Sequence, residues 1–264
     1  MKVAVSQVQA VECLEDGENS QRLDAILETI AHAADEADII CFPEYFLGKS
    51  PPEPLPNDAL LTIQEAARLA GVNVVCGVTR DLRHGDGSYL TSIIINRTGH
   101  VVASLDKTSL YPAEQVWYRA GRGELLVEID GGVGVGVLAG FDLLRSDLVR
   151  SVVQAGAQLL IAQFAADNDA YLETARAVVT TRALEYLVPV VAVGQLGEFF
   201  GRRYIGGSTV VQPTLSDGNL PGPVERVLAM GDEEAMWIVD LDLEAFSEMR
   251  RRFSYAAPPR IPWR

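Results

Sequence analysis

Cysteine is scarce: Cys13, Cys41 and Cys76 are the three in 264 residues, and none stands in Cys-x-x-Cys spacing. An odd set without that spacing excludes a disulfide scaffold, offers zinc no seat and fits a reducing compartment. Histidine is equally rare, and His32, His84 and His100 stand apart in a helical pattern, a Gly-rich turn and a Thr-Gly-His turn. They read as surface or structural residues, so no metal is expected. No stretch approaches the ~20 apolar residues of a membrane span. Met1–Ser6 runs directly into alternating apolar residues without a charged leader or cleavage site, which gives the expectation of a cytoplasmic chain. Basic residues are outnumbered, 22 Lys plus Arg against 36 Asp plus Glu, for a net charge of -14. Long-range repulsion therefore argues against nucleic acid or an anionic membrane as partner.

What is present is enough apolar sequence, 48% of residues, for a chain of this size to bury roughly 70% of its surface. Lys2–Val8 alternates like a strand, 19–34 carries Leu23, Ile26, Leu27 and Ile30 at helical spacing, and 38–42 reads as a buried strand. Four prolines within 51–56 break regular structure; Asn57 then caps a helix that Gly71 stops. Strands follow at 72–78, 89–96 and 101–105. The theme repeats with strands at 125–129 and 133–139, a helix at 146–155, a strand at 159–164, a helix at 170–187 and a strand at 188–193. Strands at 205–211 and 235–240 and a helix at 243–251 complete the pattern. Near-continuous apolar strands are covered on both faces, and strand–helix alternation gives parallel crossovers. Two βαβα-plus-meander halves with no linker predict an α/β fold of two packed sheets with helices outside, as one domain over 1–264.

Chemistry is expected where buried strands end. Glu44 follows Cys41-Phe42-Pro43, where proline stops the ladder and frees the next side chain to turn into a crevice. Lys107 follows the strand at 101–105, and Glu114 lies seven residues on, in a Pro-broken aromatic loop. An ammonium at a desolvated crevice stabilises an oxyanion, and a carboxylate beside it can move protons for a nucleophile. The glycines of 131–140 do not fit Gly-x-Gly-x-x-Gly, and Gly48-Lys49-Ser50 lacks the upstream glycine of a P-loop. They are read as allowing close packing, and no nucleotide or other cofactor is expected.

Together these segments resemble the nitrilase, or carbon–nitrogen hydrolase, superfamily over nearly the whole chain. Phe42-Pro43-Glu44 resembles its general-base segment, and Lys107, Leu110, Glu114 and Gly121 its lysine and second-glutamate segment. Arg182-Ala183-Leu184-Glu185 is similar to its Arg-Ala-Ile-Glu helix, and Gly206–Pro213 to its Gly-x-Ser-x-x-x-x-Pro strand. Asp240–Leu243 with Arg250 matches its C-terminal pattern. The resemblance implies a four-layer αββα sandwich, usually dimerised through helical faces, and a ligand of amide, nitrile or carboxylate type. Tyr111, Phe141 and Phe164, with Trp117, are candidates for the pocket that holds the ligand body.

One departure matters most. The family places its nucleophilic cysteine in a Cys-Tyr/Phe-Asp strand end, and this chain reads Gly140-Phe141-Asp142. Arg145-Ser146-Asp147 also replaces Phe-Pro-Glu, and Gly194 stands where Asn is common. In a family enzyme Glu44 takes the thiol proton and Lys107 stabilises the intermediate; glycine offers no atom for attack. Three readings remain open: a non-hydrolytic binding or regulatory homologue, an amidase present as a nucleophile-deficient variant, and slow hydrolysis by a water that Glu44 activates.

Overall fold

The computed structural model describes residues 1–10, 16–46, 56–81, 88–123, 125–199, 201–216, 220–221 and 225–253. Cys13, His84, the prolines at 51, 52 and 54, and Gly48-Lys49-Ser50 lie outside the described residues. The first half runs Lys2–Gln7, helix α1 (Asp16–His32), Ile39–Cys41, helix α2 (Asp58–Ala70), Asn73–Asp81, Tyr89–Ile95 and Val101–Asp106. The second repeats that order with Val133–Ala139, helix α3 (Ser146–Gln154), Leu159–Phe164, helix α4 (Asp169–Tyr186), Val190–Gly194, Thr209–Gln212 and Glu225–Ala229. In each half the first three strands are parallel and the next two antiparallel. Each six-stranded sheet is completed by one further antiparallel strand, Ala235–Asp240 beside Lys2–Gln7 and Leu126–Ile129 beside Val133–Ala139. Helix α5 (Leu243–Phe253) closes the described chain.

The two-residue period of the strands sorts the layers. Val3, Val5, Cys41, Val75 and Ile94 join Val135, Val137, Ile161 and Val191 in one core, which continues through the second sheet to Val149, Val152, Val179 and Ala183 of α3 and α4. Ala4, Ile40, Val74, Cys76 and Ile93 face the other way, onto Ile26 and Ile30 of α1 and Leu60, Ile63 and Ala67 of α2. The order is helices, sheet, sheet, helices, the αββα sandwich expected. Asn57 Oδ1 accepts from Leu60 N at 2.9 Å and Gly71 ends α2 at φ 62°, as the sequence predicts. The glycines of 133–139 do allow close packing: a Cβ at Gly134 would meet Gly156 O at 2.4 Å, and one at Gly136 would meet Val152 Cγ1 at 2.5 Å.

One expectation is corrected. The single strand over 205–211 is two strands, Arg202–Ile205 and Thr209–Gln212, separated by Gly206 (φ 68°) and Gly207 (φ 84°). The buried Gln7 forces the break: its Oε1 accepts from Ser208 N at 2.9 Å, and a Cβ at Gly206 would lie 2.7 Å from its Cδ. Arg202–Ile205 instead forms a hairpin with Leu196–Phe199, an element the sequence reading lacks.

Candidate active site

The C-terminal ends of Ile39–Cys41 and Val133–Ala139, one from each sheet, meet the loop after Val101–Asp106. Phe42 N donates to Val75 O at 2.9 Å as the last ladder bond. Pro43, which has no N–H, then releases the chain, and Glu44 turns inward to 2% exposure. Two devices hold this corner. Gln163 Nε2 donates to Phe42 O at 2.7 Å while its Oε1 accepts from Ser92 Oγ at 2.6 Å. Gly77 lets the corner lie flat against the next strand, since a Cβ there would be 1.5 Å from Pro43 O.

Lys107 is pinned by its backbone to Leu90 O and by Gly121 N at its own carbonyl, each at 2.8 Å. Its side chain is fully buried, with Nζ 2.9 Å from Glu44 Oε1, 2.6 Å from Glu114 Oε1 and 5.1 Å from the Tyr111 ring centre. Glu114 opens a short 3₁₀ turn, Glu114–Val116, and also accepts from Tyr45 Oη at 2.9 Å and Tyr111 N at 2.8 Å. Gly140 begins a second 3₁₀ turn, Gly140–Leu144, at φ 50°. A Cβ built on it would lie 2.6 Å from Lys107 Nζ and 3.2 Å from Glu44 Oε2. The four residues Glu44, Lys107, Glu114 and Gly140 are thus brought together, with the side-chain direction of residue 140 aimed at the ion pair.

Asp142 ties the two loops to each other. It accepts from Thr108 Oγ1 at 2.7 Å, Thr108 N at 3.1 Å and Ser109 N at 2.6 Å. Arg182 holds the same turn from α4, donating to Leu143 O and Leu144 O while pairing with Glu185; the Arg-Ala-Leu-Glu segment is therefore a clamp on the turn. Tyr111 packs against Phe141 with ring centres 4.9 Å apart and against Tyr171 at 5.6 Å. Phe164 is 2% exposed within the main core, where its Cζ lies 3.0 Å from the Cβ position of Gly194. Trp117 is 74% exposed. Tyr45, Asp142, Gln163 and Tyr171 are the site residues to which the sequence reading gave no role. A glutamine inside the apolar run Leu159–Phe164 is the signal that was available, because a polar group in a buried strand needs a partner.

Burial pushes the Glu44 carboxyl up; Lys107 pulls it back, and Glu114 and Asp142 push it further, leaving it at about 7. For Lys107 burial opposes the charge, but Glu44 and Glu114 outweigh it and hold the ammonium. Burial raises the Asp142 carboxyl against the pull of Thr108 and Ser109. It also raises the Cys41 thiol well above its ordinary range and Cys76 to about 12, so neither is a thiolate nucleophile near neutral pH. The site thus holds a carboxyl that exchanges a proton near neutrality and an ammonium that donates. Among the described residues no group of three or more His, Cys, Asp or Glu could hold a metal, and no helix is long and apolar enough to cross a membrane.

The Glu44 shift has a sign that can be measured. Its folded-state value lies above the unfolded one, so folding takes up a proton between about 4.5 and 7. The associated stability is complete below that window and is lost as pH rises through it. Glu44→Gln, which stays neutral, is expected to gain stability over the parent as pH rises from 5 to 8, by on the order of 3 kcal/mol. Paired thermal melts check this; a difference that stays flat with pH contradicts it.

The carbon-nitrogen hydrolase family matches residues 2–251. An (R)-stereoselective amidase from a Pseudomonas species is 28% identical over 256 residues, covering 93% of this chain and 88% of that protein. The butyramide complex of a cysteine-to-alanine variant of the Nesterenkonia sp. AN1 amidase superposes with a TM-score of 0.74 at 22% identity, covering 98% of this chain and 97% of that one. A glutamate-to-glutamine variant of that amidase shows covalent addition of the acetamide moiety of fluoroacetamide at the active site cysteine. A CN-hydrolase superfamily protein of Xanthomonas campestris, with an arsenic adduct in its active site, superposes at 0.80 with 20% identity, covering 100% of this chain and 99% of that one.

Proposed function

This chain belongs to the carbon–nitrogen hydrolase family, and from that premise we propose that it is an amidase-like protein that keeps the amide-binding pocket and has lost covalent catalysis. One observation carries the reading. The residue whose side-chain direction meets both Lys107 and Glu44 is Gly140, which has no nucleophilic atom. Loss of a nucleophile that acts as part of a unit costs up to ~10⁶ in kcat. The groups around it remain placed for binding, with Lys107 to donate to a carbonyl, Glu44 beside it, and Tyr111, Phe141 and Tyr171 to pack against the ligand body. The ligand is a small amide, nitrile or carboxylate, and the protein acts as a binding or regulatory homologue in the cytoplasm. We read it as a single domain that forms homodimers through its helical face, where Leu184 of α4 is exposed.

Slow water-mediated hydrolysis is the second reading. It is favoured by the position of Glu44, a carboxyl that titrates near neutrality 3.2 Å from where a Cβ would stand. It requires ammonia release that vanishes in Glu44→Gln.

Butyramide, the ligand seen in the Nesterenkonia amidase variant, is the first probe. Saturation at ~100 times its dissociation constant is expected to stabilise the chain by about 2.7 kcal/mol. Lys107→Ala, judged against its own melting temperature without ligand, is expected to show no such gain. Equal stabilisation of both proteins places the ligand elsewhere.

A further inference from the structure

Two carboxylates share one ammonium here, and their hydrogen bonds are unequal. Glu114 takes three donors: Lys107 Nζ at 2.6 Å and Tyr45 Oη at 2.9 Å on Oε1, and the Tyr111 backbone N–H at 2.8 Å on Oε2. Among the described residues, Glu44 takes Lys107 Nζ alone, at 2.9 Å. We propose that Tyr45 is a positioning residue that divides the labour between the two glutamates. By donating to Glu114 it holds that side chain against Lys107, and it leaves Glu44, with fewer donors, as the group that exchanges a proton.

Tyr45 is built for this task. It follows Glu44 in the chain yet donates across the ammonium to the other carboxylate, a reach made from a left-handed backbone at φ 58°. A bulky side chain rarely adopts that conformation, and such outliers gather at functional sites where surrounding structure holds them. Its ring stacks on Tyr204, with centres 6.4 Å apart, from the hairpin strand Arg202–Ile205. Burial, followed by the negative fields of Glu44 and Glu114, keeps its hydroxyl protonated far beyond neutral pH, so it acts as a donor only. The charged groups facing Glu44 are Lys107, Glu114 and Asp142, with the hydroxyls of Tyr45, Tyr111, Tyr171 and Tyr204 around them. Of the two side chains among the described residues that donate to Glu114, Tyr45 is the one that can be altered without removing the ammonium. The inference concerns the resting protein and holds whether or not any amide is hydrolysed.

A titration of the full chain tests it, following glutamate side-chain carbonyls by carbon-13 NMR, with Glu44→Gln identifying the Glu44 resonance. Tyr45→Phe keeps the ring and removes only the hydroxyl. The Glu44 midpoint is expected to fall by about 1 pH unit, because one charge-assisted bond to Glu114 is lost and the shared proton redistributes. Fluorotyrosine at position 45, nearly the same size and a stronger donor, is expected to move the midpoint the other way, and it covers the case in which Tyr45→Phe folds poorly. A merely structural Tyr45 would lower the melting temperature and leave the midpoint in place. A Glu44 midpoint unmoved in either folded variant overturns the proposal.

Discussion

Gly140→Cys is expected to raise ammonia release from small amides by at least ~10³-fold over the parent chain, within the ~10⁶ that a nucleophile acting as part of a unit is worth. The new Cβ enters 2.6 Å from Lys107 Nζ and 3.2 Å from Glu44 Oε2. The buried end of Lys107 must shift and Glu44 Oε2 must give by a few tenths of an ångström; the three nearest atoms all belong to these two side chains. The left-handed φ of 50° costs a non-glycine residue roughly 1–2 kcal/mol, which lowers stability without moving the turn that Asp142 and Arg182 clamp. Glu44, titrating at about 7, is matched to taking a thiol proton near neutrality. The measurement is ammonia release from a panel of amides and nitriles by parent and variant side by side. A variant that folds and binds butyramide but stays silent would mean that residue 140 is misplaced for attack.

The second large effect is on stability. Lys107→Ala is expected to cost about 3–5 kcal/mol, because it leaves Glu44 and Glu114 buried without the cation between them. Protonation of Glu44 relieves part of that, so the loss is expected to be larger at pH 8 than at pH 5. Urea unfolding at both pH values checks the size and the sign. A cost below ~1 kcal/mol at both would show that the ion pair is far better solvated than its burial indicates.

Both effects depend on contacts that were only partly legible in the sequence. Strands 133–139, 159–164 and 235–240 were readable to the residue, since each is an apolar run bounded by turn residues. The Asn57 and Gly71 caps were readable because their chemistry is local. The hairpin of Leu196–Phe199 and Arg202–Ile205 was hidden by Gly197 and Gly201 and by its arginine pair. The break at Gly206-Gly207 depends on Gln7, about 200 residues away, and no local pattern contains it. At the site, Glu44, Lys107, Glu114 and Gly140 could be named because each follows a strand or stands in a motif. Tyr45 to Glu114, Gln163 to Phe42 and Asp142 to Thr108 are bonds over 34 to 121 residues of separation. They have no spacing signature, and only the folded chain displays them.

Reaction with fluoroacetamide asks whether residue 140 is the missing nucleophile, because it reports on a reactive cysteine in the pocket without requiring turnover. Parent and Gly140→Cys chains would be incubated with the reagent, weighed intact and mapped by peptide. The parent is expected to gain no acetamide adduct in the pocket, while the variant is expected to gain one, at position 140, that butyramide suppresses. A pocket adduct on the parent chain, or a variant that folds and stays unlabelled, would contradict it.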